Sequence, residues 1–129
     1  MCAPHNPHGI PFCCDICHAV PAVYHQEWEY LQPHTNLWHE WRGDECPSDT
    51  TDPADLRADT PEHMVLLACL GPADCQRAYR AVSCRQFPFF PYVTADYRFI
   101  GLSYDWLFEQ QCWVIQNLDQ VTPAYRAEF

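Results

Sequence analysis

The chain has 129 residues, 48% of them hydrophobic and 15% aromatic, with a formal charge of −10. That apolar content excludes intrinsic disorder, and the length suits one domain, 1–129. All seven basic residues are arginines, too few for a basic patch, so neither nucleic acid nor an anionic membrane surface is expected as a partner.

Nine cysteines are many for this length. A secreted disulfide scaffold is one explanation. However, the opening MCAPHNPHGI has neither a basic nor an apolar segment of the export type. No apolar run approaches the ~18 residues that cross a bilayer. An odd number also leaves one thiol over in any all-disulfide scheme. The expectation is therefore a cytoplasmic protein whose thiols are held by metal.

In chain order, residues 1–12 carry Pro4, Pro7 and Pro11 and read as an extended arm or loop. The first cysteine cluster follows, Cys13-Cys14-Asp15-Ile16-Cys17-His18. Residues 22–31 show helical spacing, with Tyr24, Trp28 and Leu31 on the core side and Pro33 as the stop. Within 34–46, Trp38 and Trp41 share a face if the segment is helical, and Gly43-Asp44 marks a turn. His39, Glu40 and Cys46 form a minor candidate set, more simply read as surface. Cys2 and Cys46 read as small hydrophobes.

Residues 44–62 form an acidic loop, with a helical turn at Pro53 to Arg57. It is simplest as a solvated segment and is also the surface a protein partner would use. The most apolar run, 63–70, fits a buried strand or a short buried helix. Gly71-Pro72 ends it, and a helical turn or two fits 73–83. Pro88 and Pro91 argue against regular structure around Phe89-Phe90. Tyr97 to Tyr104 reads as a strand, 105–110 as a helical turn, and 112–115 as strand or helix. Thr122-Pro123 starts a short C-terminal helix. The sum is an α+β fold, small, irregular and cysteine-rich, with short helices and a few short strands around a metal site. Twelve prolines against four glycines favour such rigid, irregular connections.

The second cysteine cluster carries a family resemblance. Cys69-Leu70, Cys75 and the run Arg80-Ala81-Val82-Ser83-Cys84-Arg85-Gln86-Phe87-Pro88-Phe89 resemble the signature of the CxxCxxCC (YkgJ-like) zinc- or iron-chelating family. A related cysteine domain occurs in flagellin lysine-N-methylases. Ala81 stands where that signature has proline, and Val20-Pro21 stands where its N-terminal block has a cysteine pair. The late lone cysteine usual in the family corresponds to Cys112. The resemblance implies metal binding and leaves any reaction open.

Thiolates are the preferred ligands of zinc and of iron–sulfur clusters, and either needs four. Candidate ligands are Cys13, Cys14, Cys17, Cys69, Cys75, Cys84 and Cys112. Phe87, with its aromatic neighbours, would cover the site, and Arg85 would donate to a thiolate. An iron–sulfur cluster is slightly preferred to zinc, because excess cysteines and aromatic cover suit an oxygen-sensitive centre. The role is structural, redox or metal-handling. Alternatives are a metal-dependent enzyme, a zinc-stabilised interaction module, and a c-type haem protein through Cys14-x-x-Cys17-His18. Whether the protein is an enzyme stays open, since neither a nucleotide loop, a GxSxG elbow nor a zincin helix occurs.

Overall fold

A computed structural model describes residues 2–46 and 52–127. Residues 47–51 of the acidic 44–62 segment lie outside the described residues. The fold is α+β, with short helices and short antiparallel strands. Its contacts divide the chain into two compact units, 13–85 and 1–12 together with 86–129.

The first unit contains β1 (Ala22–Tyr24), α1 (His25–His34), β2 (Trp38–Glu40), α2 (Pro53–Asp59), β3 (Met64–Cys69) and most of α3 (Val82–Gln86). The apolar run is a strand. β3 lies between β1 and β2, antiparallel to both, with Val23 opposite Val65 and His39 opposite Ala68. A central strand covered on both faces reads as a continuous apolar run rather than an alternating one. Leu67, fully buried, faces a cluster of Val23, Leu31, Leu37, Trp38 and Ala81. Leu66 and Ala68 point the other way, to Trp41, with Ile16, Val20 and Leu56 alongside. Cys69, two residues beyond Leu67, therefore returns to the first face and packs there together with Tyr79 and Cys84.

Three local expectations change here. Residues 22–24 are strand, and the helix starts at His25 and runs through Pro33 to His34. Tyr24 is consequently exposed, whereas Leu31 is buried and Trp28 partly so. Trp38 and Trp41 are not on a helix. Both are buried, but three residues apart along extended chain they enter opposite clusters. α2 is longer than the expected turn, and the Asp52 carboxylate caps it by accepting from the Ala54 amide at 2.8 Å.

The second unit holds β4 (Phe89–Val93), β5 (Phe99–Tyr104), α4 (Trp113–Gln116) and α5 (Pro123–Ala127). β4 and β5 pair antiparallel, with Pro91 opposite Leu102 and a bulge at Tyr92/Val93. The prolines thus do not prevent regular structure. In a two-stranded ladder each strand has an open edge, where a missing N–H removes no bond. Phe87 packs against Phe108 and Phe12, at ring-centroid distances of 5.3 and 6.3 Å. Among the described residues no helix is long and apolar enough to cross a membrane.

Candidate metal centre

Four cysteines of the first unit act electrostatically on one another: Cys14, Cys69, Cys75 and Cys84. Each reaches the site from a different local element. Cys14 ends a 3-10 turn, Phe12–Cys14. Cys69 is the last residue of β3. Gly71, with φ at +104°, turns the chain sharply after the strand, and its amide donates to the Cys69 sulfur. A second 3-10 turn, Pro72–Asp74, then delivers Cys75. Cys84 sits on α3 against the core.

The charges of these groups act on one another. Burial pushes the Cys84 thiol up to about 12, with Cys69, Cys14 and Cys75 adding to the rise and Arg80 opposing it. Burial also raises Cys69, and Cys14 and Cys75 raise it further against the Gly71 amide. Cys14 moves the other way. A hydrogen bond from Cys13 brings it down to about 7 against its burial, with help from Arg80. Gathering thiols in one half-buried place makes Cys69 and Cys84 harder to ionise, unless a cation neutralises the group. A metal would supply that charge, since a coordinating thiol is deprotonated outright.

Arg80 is the residue that sequence reasoning missed. Its Nε lies 3.1 Å from the Cys75 sulfur, and Cys14 and Cys84 also hold its guanidinium in the charged form. Arg85, expected in that role, instead donates to backbone. Its Nη2 reaches the Ala78 carbonyl at 2.8 Å and its Nε the Arg80 carbonyl at 3.0 Å. It thereby staples the loop that presents Arg80. Two further bonds fix that loop: Trp38 Nε1 donates to the Tyr79 carbonyl at 2.8 Å, and the Val82 amide donates to Glu27 Oε1 at 2.7 Å. Ala81 is fully buried between these anchors. The available signal for Arg80 was its place in the signature; its spacing to Cys75 alone carries none.

The remaining expected ligands divide. Cys13 is in no disulfide and hydrogen-bonds to Cys14. Cys17 is joined to Cys46 by a disulfide. This corrects two expectations, because Cys17 has no thiolate to offer while the bond stands, and Cys46 is not a free hydrophobe. It also leaves no Cys17 sulfur for the second thioether of a c-type haem. His18, the axial ligand in that reading, pairs with Asp15 at 3.2 Å. Cys112 and Phe87 belong to the second unit. There Cys112 is buried at the start of α4, and Phe87 joins the aromatic cluster described above. In the minor set, His39 Nε2 contacts Glu45 at 2.8 Å.

The donor set suits a soft metal. No three of the cysteine sulfurs lie within 4.8 Å of one another among the described residues. A single tetrahedral zinc, with Zn–S of about 2.3 Å, holds its four sulfurs only about 3.8 Å apart. A four-iron cluster places metal and sulfide between its thiolates and so accepts a wider tetrahedron of ligands.

No family model, curated protein or solved structure matches this chain.

Proposed function

We propose that the 13–85 unit holds a metal centre on Cys14, Cys69, Cys75 and Cys84, and that this centre is an iron–sulfur cluster in a structural, redox or metal-handling role. The observation that carries the reading is the gathering of four thiols from four separate local elements around one arginine. A cluster is preferred to zinc because the cysteines exceed what one zinc needs. The Arg80 guanidinium offsets part of the negative charge of a tetrathiolate and donates to one of its sulfurs, which is how outer groups tune a centre. The proposed kinship with the YkgJ-like chelating family agrees with this use of Cys69, Cys75 and Cys84. A reducing compartment such as the cytoplasm would keep these thiols available.

Protein purified without oxygen, analysed for iron, zinc and sulfide and scanned in the visible, tests the proposal. A brown protein with absorbance near ~400 nm that bleaches on reduction is the expected result. A colourless protein with stoichiometric zinc replaces the cluster with a zinc centre. Less than about half an equivalent of either metal per chain overturns the metal reading.

A further inference from the structure

We propose that the Cys17–Cys46 disulfide is a redox gate on the ligand set. While the bond stands, Cys14 serves the metal from the first cysteine cluster; reduction frees Cys17, which can then ligate in its place. The inference rests on the metal reading above and adds its regulation.

The two halves of the bond have separate anchors. Cys14 and Cys17 flank one tight turn built on Asp15, a buried carboxylate. Asp15 Oδ1 accepts from the Cys17 amide at 3.2 Å, and its carbonyl accepts from the His18 and Ala19 amides, both at 2.9 Å. That turn makes Cys14-x-x-Cys17 a chelating pair by spacing, with the two sulfurs serving one neighbourhood. Cys46 belongs to the loop after β2. Glu45 holds that loop independently, accepting from the Arg42 amide at 2.9 Å and meeting His39 Nε2 at 2.8 Å. Cutting the bond therefore leaves Cys46 with β2 and Cys17 with the turn that carries Cys14. Cys17 then stays three residues from Cys14, in the same Asp15 turn.

The step balances as ordinary thiol–disulfide exchange. Two equivalents of a thiol reductant supply two electrons and two protons, the Cys17–Cys46 S–S bond breaks, two thiols form, and the reductant leaves as its own disulfide. The thiols near the site then rise by one, from Cys17.

Cobalt(II) is the probe, because its near-ultraviolet charge-transfer band grows with the number of bound thiolates. Wild type, Cys14→Ser and the double variant Cys14→Ser/Cys17→Ser are purified anaerobically. Each is loaded before and after reduction with a phosphine, which leaves as phosphine oxide. Wild type is expected to give the same band in both states. Cys14→Ser should lose about a quarter of the band per cobalt while the disulfide stands, because three of four thiolates remain, and regain it on reduction. The double variant should stay low in both states. Equal bands for Cys14→Ser in both states overturn the gate, as does recovery in the double variant. A wild type that loads when oxidised but not when reduced also overturns it, since reduction then dismantles the site. Failure of wild type to bind cobalt in either state overturns the gate, whereas the metal reading stands or falls on the anaerobic iron, zinc and sulfide analysis above.

Discussion

Replacing Cys46 by serine isolates what the cross-link contributes to the fold that carries the centre. The bond spans a sequence separation of 29. In the chain-entropy treatment a loop of that size removes about 12 cal/mol/K from the unfolded chain, or about 3.6 kcal/mol at room temperature. Cys46 is only half-buried, so the sulfur-to-oxygen change itself adds little packing loss. A small domain holds about 5–15 kcal/mol in total, so the loss is a large share of its stability. Urea unfolding of metal-free protein, followed by tryptophan fluorescence, provides the assay, because Trp38 and Trp41 are buried in this unit. Wild type without reductant should exceed the variant by about 3–4 kcal/mol. Reduced wild type should superimpose on the variant. A difference under about 1 kcal/mol, or a reduced wild type that keeps the unreduced midpoint, refutes the cross-link as a determinant of this unit's stability.

Three other outcomes are expected. Arg80→Gln should weaken metal binding about tenfold or more, with partial recovery in Arg80→Lys, measured by competition with a chelator; an unchanged affinity would remove Arg80 from the site. In metal-free protein, Cys14 should react with iodoacetamide half-maximally near pH 7, because its lowered pKa leaves thiolate at neutrality. Cys84, pushed up to about 12, should remain an unreactive thiol through mildly alkaline pH, and peptide mass spectrometry across a pH series distinguishes the two. Cys84→Ser should lose metal, whereas Cys2→Ser should keep it, as metal analysis of the soluble fractions would record.

Much of the local structure was legible before the tertiary arrangement. The apolar stretch ending at Cys69 already implied burial, and Gly71-Pro72 implied the turn after it. Asp52-Pro53 and Thr122-Pro123 marked helix starts that form, whereas Thr60-Pro61, a signal of the same kind, is followed by a turn and β3. These signals are local, set by backbone restriction and capping within a few residues. β1 and β2 were not legible. Three residues carry too short a pattern, and both segments become strands because the two sides of β3 offer unpaired amides and carbonyls. Pro91 misled for a related reason: the open edge that tolerates it exists only once β4 has a single neighbour.

The same division runs through the candidate centre. The sequence by itself determined that thiols would be abundant, clustered at 13–17 and 69–84, and followed by Arg85-Gln86-Phe87-Pro88-Phe89. Only the tertiary structure decided which of them meet. It groups Cys14 with Cys69, Cys75 and Cys84, ties Cys17 to Cys46, and sets Arg80 rather than Arg85 against a sulfur. Spacing brings a CxxC pair to one turn, but a thiol's partner elsewhere in the chain depends on where strands and helices place its Cβ. For Cys17 that partner is fixed by the packing of the β2 loop against the Asp15 turn, which no pattern of neighbouring residues encodes.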